Sequence, residues 1–486
     1  MRHQREPVSW GVVLPAALAQ VVLLTAGSGG YGYHRDELYY RLLPPAWGYV
    51  DQPPLTPLLA RLTTHLTDQL WMLRVPATLS AAVSVVLLAL VVRELGGGRG
   101  AQALAAWGYA FSAFPLALGH VLLTSTVDLS LLLVVVLGMV RAAAGDHRAW
   151  LWSGAAVGAT TYNRLLVAVV VAGLVAGVVL LGPRCELFTR HALAGAAIGL
   201  VLSSPNLLYQ ATSGWPQAQM GAALSANNAA DIRPQVLPLL LVMLGPPLVV
   251  VWVVGIGWLL RRERRDRFGF LVVGFAVLLA FTLASGAQPH YPVHLLSVAY
   301  AAGCVPVARW LRERRVWRAV AVALLAVNAA VSVVLALPVV PVGRLGATPL
   351  PDTSPLVADQ VGWPRYVAQV AAAYHQAPEH PTAVVASNYG EAGAVARFGG
   401  RLGLPTPVSG QNALGAVGRP PDSADVVLVV GYQYADIRGL FASCRVLARL
   451  DNGIGVDNEE QGAPVAVCRQ PVAQWSRLWP RFHHLD

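Results

Sequence analysis

After its first apolar run the chain reads GYGYHRDELYYRLLPPAWGYVDQPPLTPLLARL (residues 30–62), which sets His34, Arg35, Asp36, Glu37 and Asp51 among Tyr31, Tyr33, Tyr39, Tyr40, Trp47 and Tyr49. An acidic pair in such a loop can take a proton from a hydroxyl, although taken alone it reads more often as a solvated surface pair. Further on, Asp128 lies inside the apolar stretch HVLLTSTVDLSLLL, and Arg164 stands in TTYNRLL. A carboxylate among apolar residues needs a cation or a water-filled cavity. Trp215 belongs to SPNLLYQATSGWPQAQM, and Gln288, His290, Tyr291 and His294 share SGAQPHYPVHLL. The two histidines are spaced like a metal pair on a helix, but their segment holds no acidic ligand, which favours hydrogen bonding or substrate lining. A guanidinium grips a phosphate through paired N–H groups, and aromatic faces suit the C–H side of a sugar. Together these residue types point to transfer of a sugar from a lipid-borne phosphate ester to a hydroxyl acceptor. The bland readings are an arginine that snorkels to the interface and a belt of interfacial aromatics.

The elements that position these residues are membrane spans. The chain is 55% hydrophobic and 12% charged, with a mean hydropathy of +0.53, and its apolar residues fall in long runs rather than amphipathic stripes. Runs near 9–27, 74–92, 101–118, 121–140, 149–162, 165–182, 191–210, 236–260, 268–285, 291–308 and 317–338 predict about eleven transmembrane helices. All 35 basic residues are arginines; with the N-terminus inside, 18 fall in inner segments and 6 in outer segments before the tail. That bias predicts a cytoplasmic N-terminus, counting Arg2 and Arg5, and an extracytoplasmic C-terminal region. A cleaved signal peptide over residues 1–27 is disfavoured by the length of the run and the lack of an A-x-A site. The expected localisation is the plasma membrane, multi-pass.

The net charge of +10 does not imply a nucleic-acid partner. Residues 1–341 carry 24 arginines against 13 acids, while 342–486 carry 11 against 12, so the surplus anchors membrane loops. After the last run, LPVVPVGRLGATPLPDTSP reads as a linker. Beyond it PTAVVASNYGEAGAVARFGG predicts strand, turn and helix, and SADVVLVVGY a second buried strand. The expected division is a transmembrane domain over 1–341, with a first outer loop at 28–73, and an α/β domain over 342–486. Cys444 and Cys468 both fall in that tail, where an oxidising exterior allows a disulfide.

Taken in order, YHRDELYY, GYVDQPPLTPLLARL, TSTVDLSLLL, TTYNRLL, PNLLYQATSGWP and PHYPVHLLSVAYAAG resemble the bacterial GT-C class membrane glycosyltransferases related to protein O-mannosyltransferases and lipid A aminoarabinose transferases. The resemblance runs through residues 8 to 310, and its most specific part is the Asp-Glu pair followed by D-x-P-P. It implies an α-helical polytopic GT-C-like fold and an enzyme that moves a sugar from a polyprenyl-phosphate donor to a protein, glycan or lipid hydroxyl at the outer membrane face, with inversion. Asp36 matches the family's general base, Glu37 its partner and Asp128 the second acidic position. Arg164 stands where relatives carry Lys and would contact the donor phosphate, as would His290 and Tyr291. His34, Tyr39, Asp51, Trp215 and Gln288 are expected to line the substrate site. No cofactor is required; a divalent metal on Glu37 and Asp51 is left open, because Gln52 stands where His or Lys is expected. Consistent with a lipid donor, no phosphate-binding G-x-x-x-x-G-K-[ST] loop is present. Two other classes compete: a lipid-sugar transporter or flippase, whose charges would line a pathway, and a non-catalytic envelope scaffold acting through its tail.

Overall fold

The computed structural model describes residues 6–485; Arg2 and Arg5, counted above as inner anchors, lie outside them. The chain forms two compact units. A helical unit holds the residues up to Ser28, Gln52–Leu55 and Arg74–Leu337, and a sheet unit holds Gly29–Asp51, Thr56–Leu73 and Pro338–Asp486.

Each of the eleven apolar runs is helical, but not each is one long rod. Among the described residues five helices are long and apolar enough to cross a membrane: Trp10–Gly27, Val75–Glu94, Thr124–Ala143, Arg190–Thr212 and Arg315–Ala336. Two more candidates are bent pairs, Pro216–Val242 with Pro246–Leu259 at 92° and Arg262–Phe268 with Phe270–Ser285 at 64°. The first bend follows from Gly245, at φ +99°, and the two prolines after it, which have no N–H to offer a helix. The run at 101–118 divides into Arg99–Ala110 and Ala113–His120. Broken backbone is tolerable in hydrocarbon only where its polar groups find partners. Here Ser112 Oγ lies 2.6 Å from the Gly108 carbonyl and 2.9 Å from that of Leu244, and Asn328 Nδ2 donates to Leu244 O at 3.1 Å. One break therefore helps to satisfy the other.

Small residues let these helices close in where lipid gives no hydrophobic drive. A side chain on Gly154 would strike the Gly195 carbonyl, joining Ala149–Thr161 to Arg190–Thr212. A side chain on Gly255 would strike the Ala299 carbonyl, joining Pro246–Leu259 to Val293–Leu311. Val85, Leu88, Leu132, Val136 and Tyr300 lie in the buried apolar core.

The sheet unit is built on five strands in the order β2-β1-β3-β5-β4. In chain order these are β1 (Ala383–Ala386), β2 (Val408–Ser409), β3 (Val426–Val430), β4 (Phe441–Arg449) and β5 (Pro464–Pro471). β1 runs parallel to β2 and β3, whereas β5 is antiparallel to both β3 and β4. β1 and most of β3 are buried, which explains their unbroken apolar sequences. β4 is an edge strand with mostly exposed side chains, bonded through Cys444 to Cys468 directly opposite on β5. Trp475, Trp479 and Phe482 pack with Val427 and Val429 on one face.

The segment after the last run, read as a linker, is folded into this unit: Leu345 and Leu350 join Tyr31, Val357, Val361 and Val456 in a small core. The helix Arg35–Leu42 of the first loop packs on Tyr389–Phe398, and Gly393 makes the approach possible, because a Cβ there would lie 2.6 Å from that of Leu38. Tyr31, Tyr33, Tyr39, Tyr40 and Tyr49 are accordingly buried, while Trp47 remains 73% exposed. The tyrosines of this loop are core residues of the sheet unit, not an interfacial belt.

Candidate active site

The sequence-predicted residues fall into two groups, one in each unit. In the helical unit the helix Thr124–Ala143 opens after the extended residues Val121–Leu123 and carries Asp128 one turn in, where it is wholly buried. The connection after the next helix supplies its partners. The helix Ala149–Thr161 ends in a tight turn, with Asn163 N and Arg164 N both donating to Thr160 O at 2.9 Å, and the turn aims both side chains at the start of Thr124–Ala143. Asn163 Nδ2 donates to Asp128 Oδ1 at 2.7 Å and to Thr124 O at 2.8 Å. Arg164 Nε stands 3.5 Å from Asp128 Oδ2, its Nη2 donates to Thr124 Oγ1, and its guanidinium lies 5.0 Å from the Tyr291 ring centroid. His290 Nε2 and Ser125 Oγ are 2.8 Å apart, and Phe114 packs edge-on against His294.

Asp128, Arg164, His290 and Tyr291 are thus one cluster. Asn163 and Ser125 belong to it as well and were missed, although Asn163 sits beside Arg164 in TTYNRLL. Gln288 is partly buried in the adjoining loop, with its carbonyl accepting from Tyr291 N at 3.1 Å. Trp215, half-exposed and at φ +58°, precedes Pro216–Val242 and makes no part of this cluster. Arg74, counted above only as a topology residue, is wholly buried, with Nη1 donating to Ser28 O at 2.7 Å and lying 3.2 Å from His120 Nε2. A buried, always-charged guanidinium is costly to desolvate, which marks Arg74 as more than an anchor.

In the sheet unit the motif HRDE is a helix start. His34 caps Arg35–Leu42: its Nδ1 accepts from Asp36 N at 3.2 Å, and Glu37 Oε2 accepts from His34 N at 2.9 Å. This places the ring proton on Nε2, toward Asp359 Oδ2 at 3.8 Å. Glu37, fully buried, serves the capping box; Asp36, one residue earlier and only partly buried, has its carboxylate oxygen Oδ1 2.9 Å from the Tyr389 phenol, which donates to it. Tyr39 donates to Asp51 Oδ1 at 2.9 Å and accepts from Ala413 N at 3.3 Å. Arg35 pairs with Glu459, and its guanidinium lies 4.8 Å from the Tyr389 ring centroid.

Burial, with repulsion from Asp36, lifts Asp51 to about 7, against an opposing pull from the Tyr39 hydroxyl. With one oxygen held by Tyr39 and Glu37 engaged in capping, the pair suggested for a divalent ion does not offer a ligand set. Among the described residues no group of three or more His, Cys, Asp or Glu side chains is arranged to hold a metal ion.

Behind Tyr389 lies a second acidic pair. Glu391 Oε2 accepts from Ser387 N at 2.9 Å and Asn388 N at 3.1 Å, and Glu460 Oε1 accepts from Asn388 Nδ2 at 3.2 Å. Burial raises Glu391 to about 8, with the Glu460 charge adding to it, and burial raises Glu460 to about 6. Both begin from 4.5, so between that pH and about 8 the folded chain holds more protons than the unfolded one. The stabilisation is complete below the unfolded value and is lost as pH rises through the folded values. Thermal unfolding of the full-length protein followed between about pH 5 and about pH 8.5 is expected to show the sheet-unit transition falling by several degrees as pH rises. Glu391→Gln, which keeps an acceptor oxygen for the two N–H groups, flattens that dependence; an unchanged slope in the variant would refute this origin.

Comparison with known proteins gives similarity over part of the sequence and over most of the fold. Residues 51–209 match the family model for dolichyl-phosphate-mannose-protein mannosyltransferase. Curated protein sequences give no match. Among solved structures, ArnT from Cupriavidus metallidurans bound to undecaprenyl phosphate superposes with a TM-score of 0.59 at 15% identity, over 94% of this chain and 98% of that one. The arabinofuranosyltransferase AftD from Mycobacteria superposes with a TM-score of 0.53 at 16% identity, over 96% of this chain and 40% of that one. By sequence over residues 51–209 and by fold over most of its length, the chain resembles the GT-C class of membrane glycosyltransferases.

Proposed function

We propose that the protein is a multi-pass membrane glycosyltransferase that moves a sugar from a polyprenyl phosphate to a hydroxyl acceptor on the extracytoplasmic side, with inversion at the anomeric carbon. The observation that carries this reading is the Asp128–Asn163–Arg164 cluster with Ser125, His290 and Tyr291, an ion-paired, hydrogen-bonding group set among apolar helices. Arg164 binds the donor phosphate through its N–H fork, Tyr291 flanks the guanidinium face, and Asp128 and Asn163 fix the arginine. Asp36 takes the proton of the acceptor hydroxyl. The acceptor oxygen bonds to the anomeric carbon as the bond to phosphate breaks, and the departing polyprenyl phosphate keeps the bonding pair. The fold's likeness to ArnT, whose structure was solved with undecaprenyl phosphate, supports a donor of that kind. In this reading residues 1–341 form a transmembrane domain of about eleven spans and residues 342–486 an extracytoplasmic domain, in keeping with the arginine bias.

The protein in nanodiscs, given polyprenyl phosphate carrying radiolabelled mannose or arabinose and an envelope fraction as acceptor, is expected to transfer label and release polyprenyl phosphate. In sealed vesicles, label that crosses the bilayer with its phosphate bond intact identifies a transporter and overturns the reading. Neither transfer nor crossing with either donor also overturns it.

A further inference from the structure

We propose that Tyr389, contributed by the C-terminal part of the chain, is a positioning residue for Asp36. The inference rests on the assignment of Asp36 as the base, and extends it to a residue some 350 positions away in sequence, within the same compact unit.

Asp36 is the second residue of the short helix Arg35–Leu42 and is only partly buried. A carboxylate in that position has several rotamers open to it, and its two oxygens are chemically alike. The Tyr389 phenol removes this ambiguity by donating to Oδ1 at 2.9 Å. Oδ2 is then the oxygen that receives the acceptor proton, while the phenol keeps its own proton throughout. No oxidant or further reactant enters the step.

The phenol is held from four sides. Its ring is 4.7 Å from that of Tyr39 at an interplanar angle of 34°, and the Arg35 guanidinium covers it at 4.8 Å. Its backbone N–H donates to Gln411 Oε1 at 2.7 Å. Asn388, immediately before it, caps the helix Tyr389–Phe398 by accepting from Glu391 N at 2.7 Å, and its amide reaches Glu460. Gly390 keeps the helix start open, since a Cβ there would lie 2.9 Å from Trp363 and 3.1 Å from Arg35. These contacts hold the ring and the backbone that carries it, and none of them uses the O–H. That O–H goes to Asp36. A tyrosine needed only to fill space would be served equally by phenylalanine, which preserves the stacking, the guanidinium contact and the backbone bonds.

Turnover of labelled polyprenyl-phosphate sugar by the full-length protein tests the role. Tyr389→Phe is expected to lower kcat about tenfold, the loss of one hydrogen bond to a charged group, with the donor KM and the melting temperature unchanged. In the Asp36→Asn background the same substitution is expected to have no further effect, because the residue acts through Asp36. Wild-type turnover in Tyr389→Phe, or a loss that multiplies with that of Asp36→Asn, overturns the role of Tyr389 while leaving Asp36 as base. Full turnover in Asp36→Asn overturns both together.

Discussion

Asp36→Asn leaves a folded protein that binds polyprenyl phosphate and transfers sugar about 10²–10⁴-fold more slowly than wild type, the range over which a positioned general base contributes. The substitution is nearly isosteric. The amide oxygen still accepts from the Tyr389 phenol, so the contact between the first loop and the rest of the sheet unit survives. What disappears is the capacity to take a proton. The loss therefore falls on kcat rather than on donor KM, which separates chemistry from binding. Asp36→Glu keeps the proton acceptor but lengthens the side chain past the phenol, and is expected to recover part of the rate. Its neighbour gives the contrasting result: Glu37→Gln retains an oxygen for the His34 N–H and is expected to keep most of the activity. Full activity in Asp36→Asn, measured by release of polyprenyl phosphate, would remove the base from this loop.

The second large effect is at Arg164. Arg164→Ala is expected to reduce kcat/KM for the lipid donor by about 10²–10³-fold, the scale on which a preorganised donor to developing phosphate charge contributes. The variant has a second consequence, because Asp128 is wholly buried and would be left without its cation. Removing one partner of a buried ion pair costs roughly 3–5 kcal/mol of stability. The double variant Arg164→Ala with Asp128→Asn removes that burden, since Asn163 can still donate to the amide oxygen. Its expected behaviour is recovered thermal stability with donor transfer still impaired. Arg164→Lys retains charge without the fork, and an intermediate rate is expected. If the double variant regained both stability and turnover, Arg164 would be a structural partner of Asp128 and nothing more.

The membrane architecture was legible because a helix in lipid must satisfy its own backbone, so every span announces itself as an apolar run. The breaks within runs were harder to read. The division near Ser112 depends on a carbonyl supplied by Leu244, far away in sequence. β1 and β3 were readable from AVVA and VVLVV for the same reason as the spans, burial on both faces. β4 was not, because FASCRVLAR lies on an edge with most side chains exposed and carries no clean alternation. At the site, Asp128 and Arg164 stood out as charges in apolar surroundings, whereas Asn163 is neutral and gives no such signal. The acidic pair of the first loop divided in a way that local sequence does not distinguish: Glu37 caps a helix and Asp36 meets a phenol from beyond the last span. Arg74 looked like any loop arginine until its burial against Ser28 and His120 was visible.

The mingling of the first loop with the chain's end also changes what a truncation means. Removing residues 345–486 strips the helix Arg35–Leu42 of the surface around Gly393 and of Tyr389. Loss of activity in such a variant therefore says nothing in favour of a passive scaffold.

A ribosome delivers Asp36 early and Tyr389 late. Between the two, the growing polypeptide must thread all its apolar runs into the bilayer, and only afterwards does the partner of the first loop emerge. Until then the short helix beginning at His34 has no Gly393 groove to rest in. The packing of the first loop is thus completed only when the chain's last stretch has been made and folded.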